Sequence, residues 1–296
     1  MKRDALSMSC GVQILKLMQK YGVISTSTLY KIMGNKSERY LRRVANHLAK
    51  KELLVKSTAQ IAGNPAPYFY LSQAKNAKKK LSTLLDIPEE EIGNPYMRYA
   101  HLDHEDTLAR IQFEIESKFT GAITIRDWQL AKSEVPQLVF PRTLGAEEFF
   151  PDLIVGIPAH NANLGLNQTA FRWVAIELER YRKKHSRVKI KLRDYAERTG
   201  LDGVLYLLPT ISLEKEYQQY FKTKAAVKAL QLRGLEDCFF STSHLPKYGI
   251  DIFTRNLNFG DRKLSVYNWF DFLRRTTKQN RGQEWKSYTN REDTRA

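Results

Sequence analysis

Apolar residues recur at helical spacing at Ile14, Leu15, Leu17 and Met18, and the pattern stops near Gly22. Ser25-Thr26-Ser27-Thr28 supplies cap residues for a second helix with Leu29, Ile32 and Met33, which Gly34-Asn35 ends. Ser37 caps a third helix, from Glu38 to Lys51, that carries Tyr40, Leu41, Val44 and Leu48 on one stripe. Two β-type runs follow, Leu53–Lys56 and Pro67–Leu71, on either side of Ala62-Gly63-Asn64-Pro65. This order predicts a helix-turn-helix followed by a hairpin wing. A basic connector helix with Lys75 and Lys78-Lys79-Lys80 completes a first domain over 1–88. The stretch Ile87–Pro95, rich in breakers and acids, marks the boundary.

Beyond it, long helical patterns alternate with buried-strand patterns. A helix is predicted over 97–119, then a strand at Ala122–Arg126. Two apolar, β-branched runs at 149–157 and 173–181 read as strands, with a helix over 185–199, a strand at Gly203–Leu208 and a helix over 212–232. The fold class expected is α/β (α+β): an N-terminal winged helix-turn-helix, then a domain over 96–278 with a mixed central sheet flanked by helices. Residues 279–296 are polar and charged and predict a disordered tail.

Charge adds the partner. The 296 residues hold 48 Lys+Arg against 32 Asp+Glu, a formal net charge of +16, while the 42% hydrophobic content is ordinary for a globular chain. Such an excess predicts a polyanionic partner, nucleic acid before membrane. No apolar run approaches the roughly 20 residues that span a bilayer, and Met1–Ser7 has no signal-peptide character. Cys10 and Cys238 match no zinc spacing, so a reducing cytoplasm is the expected home. On the third helix, Arg39, Arg42, Arg43, Asn46 and Lys50 stand beside the apolar stripe. Arginine and asparagine suit guanine and adenine edges in the major groove, so this helix is the expected double-stranded DNA contact.

The candidate chemistry is acidic. Asp152, after Pro151, opens one apolar run, and Glu177 and Glu179 close the next. Residues two apart on a strand share a face, so the two glutamates lie together and pairing of the strands would bring in Asp152. Oxygen ligands of this kind suit Mg²⁺ or Mn²⁺ and metal-assisted phosphodiester chemistry. Lys191 and Tyr195 share a helix face one turn apart. Tyr181 and the paired His101 and His104 are further candidates. The plainer reading is that these acids cap a sheet and pair with Arg172, Arg180, Arg182 or Arg187. The chain has no Walker-type glycine loop and no GxSxG elbow, which leaves neither nucleotide cradle nor serine-hydrolase elbow.

Pro151-Asp152 before a buried strand, then Glu177-Leu178-Glu179 ending the next, resembles the PD-(D/E)xK nuclease superfamily. With a winged helix ahead of it, and Lys191 and Tyr195 behind, the chain is similar to the replication-relaxation family, which includes MobC-type plasmid mobilisation relaxases. The resemblance spans about residues 10–210 and implies a restriction-endonuclease-like second domain. It implies Asp152 and Glu177 as metal ligands, with Glu179 where orthodox nucleases place lysine and Lys191 supplying that lysine from the next helix. Tyr195 or Tyr181 would be the nucleophile if water is not. The function it implies is site- and strand-specific nicking at a plasmid origin of transfer, for conjugative mobilisation. Implied partners are duplex origin DNA, single-stranded DNA after nicking, and relaxosome accessory and coupling proteins. Two alternatives stay open: a non-catalytic replication initiator or regulator with a decayed nuclease fold, and a double-strand endonuclease acting as a symmetric dimer.

Overall fold

The computed structural model describes residues 2–61, 64–93, 102–130, 150–159, 171–197, 200–221, 230, 239–244, 256–259 and 262–276. His101, Cys238 and the charged tail over 279–296 lie outside the described residues. The fold is mixed α/β with a mixed sheet. The chain divides into two compact units, Met1–Phe113 and Glu114–Ala296. The division falls later than the breaker-rich stretch at 87–95, inside a helix.

The first unit runs α1 (Lys2–Tyr21), β1 (Ile24–Ser25), α2 (Thr26–Met33), α3 (Glu38–Lys50), β2 (Leu54–Ile61), β3 (Asn64–Leu71) and α4 (Lys75–Leu85). A 3-10 turn at Glu89–Glu91 and the first part of α5 (Leu102–Lys118) follow. Both serine caps form: the Thr28 amide donates to Ser25 Oγ at 3.2 Å, and the Tyr40 amide donates to Ser37 Oγ at 3.3 Å. Gly34 ends α2 with φ at +51°, a backbone favourable to glycine, and its amide donates to the Tyr30 carbonyl at 2.9 Å. Ile14, Leu15, Met18, Leu29, Leu41, Leu48, Phe69 and Leu81 form one buried cluster. The three strands lie in the order β1-β3-β2, all antiparallel.

The hairpin is longer than its sequence pattern. Pro65 reads as part of the turn, yet it pairs with Gln60, just as Pro67 pairs with Thr58. Strand β1 reaches only Tyr68 and Phe69, so β3 is an edge at both prolines, where a missing N–H is tolerated.

The second unit holds the rest of α5, then β4 (Ile123–Arg126), α6 (Asp127–Leu130), β5 (Leu153–Pro158), β6 (Phe171–Leu178), α7 (His185–Glu197), β7 (Gly203–Leu208) and α8 (Ile211–Phe221). After these come β8 (Phe240–His244), β9 (Asn256–Phe259), β10 (Arg262–Ser265) and α9 (Val266–Arg275). The seven strands are ordered β10-β9-β8-β7-β6-β5-β4. Strands β6, β7 and β8 are parallel, and the flanking pairs are antiparallel. Parallel neighbours need crossovers, and successive right-handed crossovers in one direction put α7 and α8 on the same face. On that face stand Glu177 and its register partner Tyr206. The opposite face carries Val174 and its partner Gly203, against Trp269 of α9. A Cβ on Gly203 would sit 2.7 Å from the Trp269 ring, which is why this strand starts on glycine.

Candidate functional site

The expected strand over 149–157 begins only at Leu153, and Asp152 stands just ahead of it. Antiparallel pairing sets Leu153 opposite Ile176, which carries Asp152 to the carboxyl end of β6. There Asp152 Oδ2 accepts the Leu178 amide at 2.7 Å. Strand β6 ends at Leu178, and the Glu179 amide continues the ladder by donating to the Leu207 carbonyl at 3.0 Å. Glu177 and Glu179 are both buried, at 1% and 6% exposure.

From α7, Lys191 Nζ donates to Glu177 Oε2 at 2.5 Å, and the Tyr195 hydroxyl donates to Glu177 Oε1. Their spacing of one helical turn places both over the same carboxylate. Glu179 pairs with Lys183, at 3.4 Å, from the loop ahead of α7. Three carboxylates thus face two ammonium groups in a largely buried space.

The electrostatics follow from that burial. Desolvation pushes the Glu177 carboxyl up to about 8; Lys191 opposes the rise, while Asp152 and Glu179 add to it. Glu179 is raised as well, by burial first, against the pull of Lys183 and Lys191. Burial alone would lower Lys191, but Glu177, Asp152 and Glu179 outweigh it and hold the ammonium above its ordinary range. Tyr195 is fully buried and raised well above the ordinary phenol, by desolvation and then by Glu177. A hydroxyl so buried, and already donated, is suited to orienting Glu177.

Two residues that sequence reasoning read only as strand and helix filling complete the site. Tyr206 on β7 and Tyr217 on α8 are buried at 1% and 0% exposure, with ring centroids 5.3 Å apart. Among the described residues, neither hydroxyl has a hydrogen-bond partner. Both phenols are pushed up, by burial first and then by Glu177 and Glu179. Tyr206 had one signal in the sequence: it is the only residue with a polar atom on its side chain in the run Gly203–Leu208.

The structure therefore brings together Asp152, Glu177, Glu179, Lys191 and Tyr195. Tyr181 lies on the exposed loop after β6, at 79% exposure. His104 lies on α5 in the first unit, with Nδ1 3.5 Å from Glu105. Also in the first unit, Arg39, Arg42, Arg43, Asn46, His47 and Lys50 line one open depression on α3, of about 410 Å³. Arg42 is tied to Glu38 at 3.0 Å, half exposed, which fixes its direction more than it stabilises the helix.

One consequence is a pH dependence. Between about 4.5 and 8, folded Glu177 keeps a proton that the unfolded chain has released, so its contribution to stability is full below about 4.5 and is lost as pH rises through about 8. Urea unfolding in EDTA is expected to give a lower stability at pH 8 than at pH 5.5. Glu177→Gln should flatten that slope, because a neutral amide has no proton to lose. An unchanged slope in the variant would place the dependence elsewhere.

Comparison with protein-family models, curated proteins and solved structures finds no match for this chain.

Proposed function

We propose that this chain is a metal-dependent DNA-nicking protein with the layout of a plasmid mobilisation relaxase. In this reading the first unit is a winged helix that lays α3 in the major groove. The second is a restriction-endonuclease-like domain that cuts one strand at an origin of transfer. The observation that carries it is the contact of Lys191 Nζ with Glu177 Oε2 inside a three-carboxylate cluster, at the carboxyl end of β6. Open α/β sheets place ligands at such strand ends, and an acid–lysine set on adjacent elements is what phosphodiester hydrolysis needs.

The donors are all hard oxygens, and beyond burial Asp152 and Glu179 crowd Glu177 and push its carboxyl up further, a repulsion that a divalent cation would relieve. Asp152 and Glu177 would hold Mg²⁺ or Mn²⁺, with Glu179 beside them. When bound, such a cation supplies Lewis acidity toward a phosphate oxygen and makes water a usable nucleophile at neutral pH. Lys191, held beside Glu177, would offset charge growing on the phosphate. Tyr195 would keep Glu177 in the required rotamer. On the DNA side, Arg39, Arg43 and Asn46 would contact base edges or phosphates, with Lys50 at the helix end.

A second reading has an observation of its own. Both Glu177 oxygens are engaged by Lys191 and Tyr195, and among the described residues no group of three His, Cys, Asp or Glu side chains is arranged to hold a metal ion. A protein that binds DNA without cutting it, an initiator or regulator, would keep such a closed cluster as structure.

Supercoiled plasmid carrying DNA from the region flanking the coding sequence separates the two. Open circles that need Mg²⁺ or Mn²⁺, vanish in EDTA and are lost in Glu177→Gln while DNA binding persists are the expected result. Tight, salt-sensitive binding with no nick under either metal would instead establish the non-catalytic reading.

A further inference from the structure

The chain leaves the acidic cluster through Arg180–Arg193, which holds eight Lys or Arg and no Asp or Glu. Two of the eight, Lys183 and Lys191, turn inward to Glu179 and Glu177. Arg182 is pinned to Glu216 of α8 at 2.9 Å, and the His185 ring packs 4.2 Å from the Tyr220 ring, so the loop is anchored on α8 at two points. Lys184, Arg187, Lys189 and Arg193 face solvent along the loop and α7. Tyr181, between Arg180 and Arg182, is the most exposed large apolar side chain among the described residues, and Ile190 on α7 is exposed at 48%.

An exposed aromatic on an anchored loop, inside a run of one charge sign, is the combination that single-stranded nucleic acid requires. Cations track the phosphates, and a flat ring stacks on any base. Duplex DNA hides the base faces and offers such a ring nothing to stack on. Tyr181 also lies two residues after Glu179, so a strand on this surface would pass the carboxylates.

We infer that the surface from Tyr181 to Arg193 is a single-stranded DNA cradle in which Tyr181 stacks on a base next to the phosphate presented to the Asp152–Glu177 cluster. The cradle rests on the nicking reading for its place beside the cut. Its binding does not require cleavage.

The test is fluorescence anisotropy of a labelled 15-nucleotide strand without self-complementarity, and of the same sequence as duplex, in EDTA. The expected result is that Tyr181→Ala weakens single-strand binding roughly tenfold, as loss of one stacked base does. Tyr181→Phe should bind like the parent, and duplex affinity should hold in both. Lys184→Gln with Lys189→Gln should lower the salt dependence of single-strand binding. Failure of the parent protein to bind single strands, an unchanged Tyr181→Ala, or an equal loss on duplex would each overturn the cradle. A protein that never nicks but shows the expected binding pattern would defeat the nicking reading and leave the cradle standing.

Discussion

Lys191→Met is expected to abolish the proposed nicking and to lower stability by about 3–5 kcal/mol at pH 8, the usual cost of stripping a buried carboxylate of its partner. The side chains are similar in length, so packing changes little and charge dominates. Lys191 is 16% exposed and Glu177 is 1% exposed, so water replaces little of the lost contact. The loss should grow with pH. Near pH 6 Glu177 is a neutral acid that Tyr195 still satisfies; without Lys191, which opposes the burial-driven rise to about 8, the carboxyl moves higher still and at pH 8.5 must draw a proton from solution to stay neutral. Urea unfolding at the two pH values gives the difference directly. Millimolar Mg²⁺ should recover part of the loss if the cluster binds the cation, because anything that binds the folded state alone stabilises it by mass action. Lys191→Arg should fall between, since a planar fork keeps the charge but not the single Nζ–Oε2 contact. A loss below about 1 kcal/mol at pH 8 would rank this contact with surface ion pairs and remove its claim to hold the cluster together.

The grouping around Glu177 was legible because it rests on simple periodicities. Side chains two apart on β6 share a face, and α7 lies over that face as the crossover to β7. Lys191 and Tyr195 are one helical turn apart. What the sequence reading could not supply was the partner of each group. Lys191 read as the lysine of the nuclease pattern, and the contact it makes, with Glu177 Oε2, was not foreseen. Tyr206 and Tyr217 were hidden because a phenol in an apolar run looks like packing until the parallel register sets Tyr206 beside Glu177. The far side of the sheet was illegible for another reason: β8, β9 and β10 read Phe-Ser-Thr-Ser-His, Asn-Leu-Asn-Phe and Arg-Lys-Leu-Ser. Such short polar runs carry little hydrophobic alternation, and pairing with their neighbours is what makes them strands. In the first unit, Ser25 was legible as a helix cap, but its pairing in β1 and its bond to a residue far along the chain were not.

That residue gives the second large effect, an expected loss of about 3–5 kcal/mol in Asp106→Ala, built from three buried donors at roughly 1–3 kcal/mol each with partial relaxation. Asp106, on α5, is 4% exposed. Its Oδ1 accepts the Ser25 amide at 2.6 Å, and its Oδ2 accepts Ser25 Oγ and Thr28 Oγ1, each at 3.0 Å. Alanine would leave all three unpaired; only the hydroxyls can turn elsewhere, Ser25 Oγ toward Thr28 Oγ1 at 3.1 Å. The better helix propensity of alanine, worth less than about 1 kcal/mol, does not offset this. Burial pushes the Asp106 carboxyl up, against Arg110 and the three bonds, and asparagine keeps an acceptor oxygen for the Ser25 amide. Asp106→Asn should therefore lose clearly less than Asp106→Ala. The carboxylate also sits at the N-terminus of α2, where negative charge favours the helix, so its removal loosens the helix that packs beside α3. Hydrogen exchange should then quicken first at the amides of Ser25–Leu29, and the proposed duplex affinity of the α3 face should fall with it. If Asp106→Ala unfolds like the parent in urea, the Ser25 and Thr28 donors find partners without α5, and the N-terminus of α2 is held by its own Ser25 cap.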